Sequence, residues 1–209
     1  MSIISDKSVE IIPSILAADP LNLRAAADQV VAAQLSQVHV DVMDGHFVPN
    51  LSFGPSLVKR LHEVYPALFL DVHLMISNPD QFATPFIASG AGSITVHVEL
   101  EKDILQNVAH QIQASSCKMG LAINPETRVD ALYPYLEQTW ITSVLIMSVH
   151  PGFGGQAFID EVLPKLKTLR SRYPHLRLCL DGGINRENAE RCVKYGADAL
   201  VMGSQFFKP

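Results

Sequence analysis

Eight short aliphatic runs recur along this chain, and longer amphipathic stretches separate them. The runs read as strands near Ile11–Leu16, Gln37–Val42, Leu68–Leu74, Ser93–Val98, Lys118–Ile123, Ser143–Ser148, Arg177–Asp181 and Ala199–Met202. The stretches Leu21–Gln34, Pro55–Val64, Pro79–Ser89, Lys102–Ala114, Arg128–Glu137, Gln156–Tyr173 and Arg186–Tyr195 read as helices. Asp19-Pro20, Asn78-Pro79 and Asn185 are helix-start signals. Strict alternation of strand and helix predicts parallel strands joined by crossovers. Eight repeats predict an α/β fold, a closed (β/α)8 barrel of TIM type, built as one domain over residues 1–209. No GxGxxG follows the first strand, which speaks against an open dinucleotide-binding sheet. The pattern runs out after Phe207, so the eighth helix is expected to be missing or truncated. Either the sequence is cut short or something else, such as a partner chain, covers the last strand.

Two of the strands are near mirror images, His39-Val-Asp-Val-Met43 and Asp71-Val-His-Leu-Met75. Alternate side chains of a strand share a face. His39, Asp41 and Met43 therefore point one way, as do Asp71, His73 and Met75, while the intervening positions are aliphatic. Unpaired polar groups are expensive to bury, so an ordinary core strand gains nothing from this arrangement. Active sites of such barrels lie at the C-terminal ends of the strands. There His39, Asp41, His73 and Asp181 make a four-ligand N/O set, suited to one divalent ion such as Zn²⁺, Fe²⁺, Mn²⁺ or Co²⁺.

Net charge is −5 with no basic run, which argues against a nucleic-acid partner. The three cysteines, Cys117, Cys179 and Cys192, form no CxxC and read as reduced thiols of a cytoplasmic protein. Met1–Glu10 is polar and does not resemble a secretory signal. No stretch supplies the roughly 20 apolar residues of a membrane span, so no membrane partner is expected.

The chain closely resembles the ribulose-5-phosphate 3-epimerase family. The matching segments are Pro13-Ser-Ile-Leu16, His39-Val-Asp-Val-Met-Asp-Gly-His-Phe-Val-Pro-Asn50, Leu70-Asp-Val-His-Leu-Met75, Gly120–Pro125, Ser148-Val-His-Pro-Gly-Phe-Gly-Gly-Gln156, Asp181-Gly-Gly-Ile-Asn185 and Gly203-Ser204. The resemblance implies that His39, Asp41, His73 and Asp181 hold one divalent metal. It also implies that Asp41 and Asp181 are acid/base groups on opposite faces of a ketose phosphate. One would remove the carbon-3 proton to give a 2,3-enediolate, and the other would return a proton on the far side. Such a proton is too weakly acidic for a carboxylate alone, so Lewis-acid stabilisation of the enediolate is chemically reasonable. The reaction would interconvert D-ribulose 5-phosphate and D-xylulose 5-phosphate, in the pentose phosphate pathway.

By the same resemblance Met43, Met75 and Met147 form an apolar floor under the sugar, although core filling is the alternative for each. Ser14 would hydrogen-bond the sugar, and His73 would lie at the substrate. Gly152-Phe153-Gly154-Gly155, Gly182-Gly183 and Gly203-Ser204 read as a phosphate cradle, because small residues let backbone N–H groups approach an anion. The loop carrying Phe153 reads as a lid. Asp71 is expected to support a ligating histidine, and Asp44 to fix its loop. His97 is read as inner-shell or structural, His46 as loop-forming, and His62, His110 and His175 as solvated. His150 stands where relatives vary. Relatives form dimers and hexamers, which implies a homo-oligomer.

Two neighbouring readings are an epimerase of a six-carbon ketose phosphate such as D-allulose 6-phosphate, and a non-catalytic sugar-phosphate-binding paralogue. The intact His-Asp-His-Asp set counts against the paralogue, since a binder has no use for two bases. A barrel lyase or decarboxylase commonly places a lysine at a strand end, and no strand assigned here ends in one.

Overall fold

A computed structural model describes residues 9–207; the first eight residues of the polar N-terminal stretch lie outside it. Eight strands alternate with eight helical segments. The strands are β1 (Glu10–Pro13), β2 (Gln37–Met43), β3 (Phe69–Met75), β4 (Ser93–His97), β5 (Lys118–Ile123), β6 (Ile141–Met147), β7 (Arg177–Asp181) and β8 (Ala199–Met202). The helices are α1 (Leu23–Ala32), α2 (Pro55–Val64), α3 (Ala83–Ala88), α4 (Lys102–Gln113), α5 (Tyr133–Leu136), α6 (Leu163–Arg172), α7 (Arg186–Lys194) and α8 (Ser204–Phe207). All strand pairs are parallel; β2 through β8 pair in chain order and β8 pairs back onto β1. This is the (β/α)8 barrel that the alternation predicts. The eighth helix is present, reduced to the single turn of α8 at the end of the described residues.

The seam between β1 and β2 is closed by one backbone bridge, Ser14 to His39. β1 ends at Pro13 and does not run on to Leu16 as expected. The amide of Ser14 bonds Met202 O at 2.9 Å, and a tight 3-10 turn over Ile15–Ala17 then carries the chain away.

Three helices are shorter than their sequence pattern, for one reason. Helices drawn over Pro79–Ser89, Arg128–Glu137 and Gln156–Tyr173 would put Pro85, Pro134 and Pro164 in helix interiors. Proline there loses a hydrogen bond and clashes with the carbonyl four residues back. The structure breaks each pattern into a 3-10 turn, Pro79–Gln81, Val129–Leu132 or Asp160–Val162, before α3, α5 and α6. Each proline then falls in the first turn of its helix, where that amide has no intrahelical partner. α7 starts where expected: Asn185 accepts from the amides of Glu187 and Asn188, and the Asn188 side chain answers the Asn185 amide at 2.9 Å.

The main core is the shell between barrel and helices, filled by outward-facing residues such as Val40, Val72, Ile94, Leu121, Ile146 and Leu180. Inside the barrel the two sides differ. From β5 round to β1 the interior carries an apolar cluster of Ile12, Ala122, Leu145, Met147, Cys179, Ala199 and Val201, with Asp181 above it at the end of β7. On β2, β3 and β4 it carries His39, Asp41, His73, Thr95 and His97, all buried. Among the described residues no helix is long and apolar enough to cross a membrane. All three cysteines are free; Cys179 and Cys192 are buried, and burial pushes each thiol up to about 12, so neither is a ready nucleophile.

Candidate active site

The mirrored strands are neighbours in perfect register. His39 lies opposite Asp71, Asp41 opposite His73, and Met43 opposite Met75. Each histidine of one strand thus meets a carboxylate of the other, and the two methionines meet at the top. On the far side β6 and β7 place Met147 opposite Asp181.

His39, Asp41, His73 and Asp181 converge, one ligand atom from each lying within 4.8 Å of the others. His39 Nε2 is 3.2 Å from Asp41 Oδ1 and 3.7 Å from Asp181 Oδ2. His73 Nδ1 is 3.3 Å from Asp41 Oδ1 and 3.9 Å from Asp181 Oδ2. A tetrahedral ion with ligand bonds near 2.1 Å sets its ligand atoms roughly 3.4 Å apart. The observed spacings bracket that value.

Hydrogen bonding supports the same use. His39 Nδ1 meets Asp71 Oδ2 at 2.8 Å, and Ser93 Oγ donates to the other oxygen of Asp71 at 2.6 Å. Asp71 accepts only, so it orients His39 with Nδ1–H outward and leaves Nε2 facing the cluster. That Nε2 is buried with no hydrogen-bond partner. An orphaned acceptor in a ring of carboxylates is costly unless a cation fills the centre. The residues present therefore fit one divalent ion. Asp71 acts as the supporting carboxylate expected of it.

Without an ion the electrostatics of the group are polarised. Both histidines lack exposed side-chain surface, whereas Asp41 and Asp181 are 6 % and 13 % exposed. Burial opposes a charge on His39, but Asp41 and Asp71 on either side hold it well above its ordinary 6.5. Asp41 is held far below the usual carboxylate range, because His39 and His73 outweigh its burial. Asp181 goes the other way, pushed up to about 7 by burial and by the charge of Asp41. His73 is pushed down to about 4, mainly by burial. Two carboxyls at one site are thus driven apart, the usual mark of distinct acid/base roles.

The group forms the inner end of a cavity of about 300 Å³ at the C-terminal end of the barrel. Ser14, Met43, Met75, Met147, Gly152, Phe153, Gly154, Gly155, Gly182, Gly183, Gly203 and Ser204 all line it. Of the four converging residues Asp41 and Asp181 line it, whereas His73 and His39 do not and are fully buried. Ser14 lines the cavity, but its hydroxyl donates to Asp41 Oδ2 at 2.6 Å, so it also orients the carboxylate. Gly182 and Gly183 have φ of +111° and +64°, and a Cβ on them would strike Val149 and the Phe158 backbone. The turn after β7 therefore takes only glycine there. Ser148 holds that turn by donating to Asp181 O and Gly182 O.

The loop after β2 packs against the methionines of the site, with Phe47 and Val48 against Met43 and Met75. Asp44 accepts from the amides of His46, Phe47 and Ser77, which bears out its loop-fixing role. Asn50 Nδ2 donates to Gly152 O at 2.7 Å and ties this loop to the one carrying Phe153, itself 55 % exposed. His46, His62, His110, His150 and His175 are exposed and touch none of the four ligand residues. Sequence reasoning missed Gln156, which lines the cavity and bonds back to His150 O and Phe153 O instead of opening a helix. Its place directly after the glycine loop was the available signal.

The profile of the "Ribulose-phosphate 3 epimerase family" matches residues 10–207. A ribulose-phosphate 3-epimerase of Mycobacterium leprae is 43% identical over 202 residues, covering 94% of this chain and 87% of that protein. The cytoplasmic isoform of ribulose-phosphate 3-epimerase from Oryza sativa is 37% identical, covering 96% and 88%. Among solved structures, 3-keto-L-gulonate-6-phosphate decarboxylase from Vibrio cholerae superposes with a TM-score of 0.73 at 13% identity, covering 97% of this chain and 92% of that one. That likeness shows the fold alone. The extended matches to the family profile and to these relatives show that the chain belongs to the ribulose-phosphate 3-epimerase family of enzymes.

Proposed function

We propose that this protein interconverts D-ribulose 5-phosphate and D-xylulose 5-phosphate by inverting carbon 3, with Asp41 and Asp181 as the acid/base pair. The observation that carries this is the convergence of His39, Asp41, His73 and Asp181 at the inner end of a glycine-lined cavity, in a chain of this family. Inversion requires proton removal on one face and delivery on the other, which one fixed carboxyl cannot do alone. Two carboxyls from β2 and β7 meet that need. Ser14 holds Asp41 from one side, and Asp181 ends β7 where its side chain meets the cavity. One carboxylate takes the carbon-3 proton and the other carboxyl returns a proton from across the sugar.

His39, Asp41, His73 and Asp181 would hold one Zn²⁺, Fe²⁺, Mn²⁺ or Co²⁺. When bound, that ion supplies Lewis-acid stabilisation of the negative charge developing in the enediolate. Met43, Met75 and Met147 give the planar intermediate a soft apolar floor without competing hydrogen bonds. The glycine turns 182–183 and 203–204 offer backbone amides to the phosphate. Phe153, carried by its glycine loop, can close the mouth and exclude water.

The test is a steady-state assay on D-ribulose 5-phosphate and on D-allulose 6-phosphate, before and after chelation, with metal content measured. Turnover of the pentose phosphate that disappears on chelation and returns with metal is expected. Full activity in metal-stripped protein defeats the metal site. A large preference for the hexose phosphate transfers the activity to the six-carbon substrate. Binding without turnover makes the chain a sensor.

A further inference from the structure

We infer that His97 and Glu99 form a relay that orients His73 toward the ligand group, and that His97 is a positioning residue for the metal site. The inference rests on the metal reading proposed above. His73 Nε2 lies 2.9 Å from His97 Nε2, and His97 Nδ1 lies 3.1 Å from Glu99 Oε2. The two rings are 21° from parallel with centroids 5.0 Å apart.

The order of hydrogens along this chain follows from its far end. A carboxylate only accepts, so His97 Nδ1 carries the hydrogen that faces Glu99. With one hydrogen per ring, His97 Nε2 is then an acceptor, and His73 must present Nε2–H to it. That leaves the lone pair of His73 on Nδ1, the nitrogen 3.3 Å from Asp41 Oδ1 and facing the ligand group. The opposite tautomer of His73 would put two acceptors face to face at 2.9 Å and a hydrogen where a ligand lone pair belongs.

The relay is anchored, and its imidazole end is dry while Glu99 reaches the surface. His73 and His97 have no exposed surface. Phe47, from the loop after β2, packs on the His97 ring at 4.8 Å. Glu99 is held at its other oxygen by the Asn124 amide at 2.8 Å. The loop after β5 that supplies this amide is itself clamped by Lys165, whose ammonium donates to Asn124 O, Pro125 O and Thr127 O, each at 2.8 Å. Four hydrogen-bonding stages thus run from α6 to the ligand group. The site uses two supports of unequal length: His39 rests directly on Asp71, and His73 rests on Glu99 through a second imidazole. Outer partners of ligating histidines typically change metal affinity by about 10–100-fold when removed.

The experiment measures Co²⁺ affinity by visible absorption against a competing chelator, with thermal unfolding of metal-free protein as the control. His97→Leu removes the acceptor; His97→Gln restores one through its side-chain carbonyl. His97→Leu is expected to weaken Co²⁺ binding by about 10–100-fold, with most of the loss recovered in His97→Gln. If His97→Leu does not fold, Glu99→Met is measured in its place, with a loss of about 3–10-fold expected from the same support. Parent-like affinity in the Leu variant (or in Glu99→Met where it stands in), or equal losses in Leu and Gln, overturns the relay alone. A parent protein that takes up no Co²⁺ removes the metal reading, and the relay with it.

Discussion

Ser14 donates its hydroxyl to Asp41 Oδ2 at 2.6 Å across the seam where β1 and β2 share only one backbone bridge. The bond does two jobs at once, closing the barrel and fixing which oxygen of Asp41 faces the histidines. A hydrogen bond to a charged group is worth about 1.5–3 kcal/mol. Ser14→Ala is expected to lower kcat by about 10–100-fold, checked by steady-state kinetics; a rate within twofold of the parent would show that Asp41 needs no such hold.

Asp41→Asn and Asp181→Asn are each expected to lose at least ~10³-fold in kcat, since on the proposed mechanism each removes an acid/base group and a metal ligand together. Single-turnover rates at saturating metal separate the two effects. Near-normal rates in either variant would reassign the bases.

The polarised carboxyl pair makes metal-free protein sensitive to pH. Asp181 has its folded pKa raised from 3.8 to about 7. Its contribution to stability is therefore fully present below about 4 and is lost as pH rises through about 7. A rise of that size corresponds to roughly 4 kcal/mol. Metal-free protein is expected to lose thermal stability between about pH 4 and pH 7, and Asp181→Asn to flatten that fall. Parallel melting curves in parent and variant would contradict it.

Metal uptake must displace protons from the same groups, because His39 is held above its ordinary value and Asp181 near 7. Near pH 6, calorimetry in buffers of different ionisation enthalpy should report roughly one to two protons released per ion. Uptake without proton release would mean that the ion binds elsewhere.

The turn after β7 gives a prediction about substrate. Gly183 sits at φ +64°, and an added Cβ would come within 2.7 Å of Phe158 N, which is backbone and cannot swing aside. Strain of about 1–3 kcal/mol is expected from Gly183→Ala, read as a lower melting temperature and a raised KM for the sugar phosphate. An unchanged KM would remove this turn from the phosphate site.

Much of this site was legible because strands have a period of two. His39, Asp41 and Met43, with Asp71, His73 and Met75, could be assigned to inner faces from spacing alone. Asp181, with no mirrored partner, was legible only from its place at the C-terminal end of the seventh strand. The prolines at 85, 134 and 164 were equally visible, and giving them full weight would have shortened three helices correctly. Phe47 and Lys165 carried no readable signal, because their roles depend on which loops the barrel brings together.

Local periodicity and backbone conformation were enough to set the alternation of strand and helix, the polar inner faces of β2 and β3, and the glycines after β6 and β7. The register that sets Asp41 opposite His73, the Ser14–Asp41 seam, and the chain from Glu99 through His97 to His73 came only with the folded barrel. Apart from the local Glu99–His97 step, those contacts join residues 24 to 32 positions apart. Their geometry is set when strand pairing closes the barrel, a cooperative outcome that no single segment encodes.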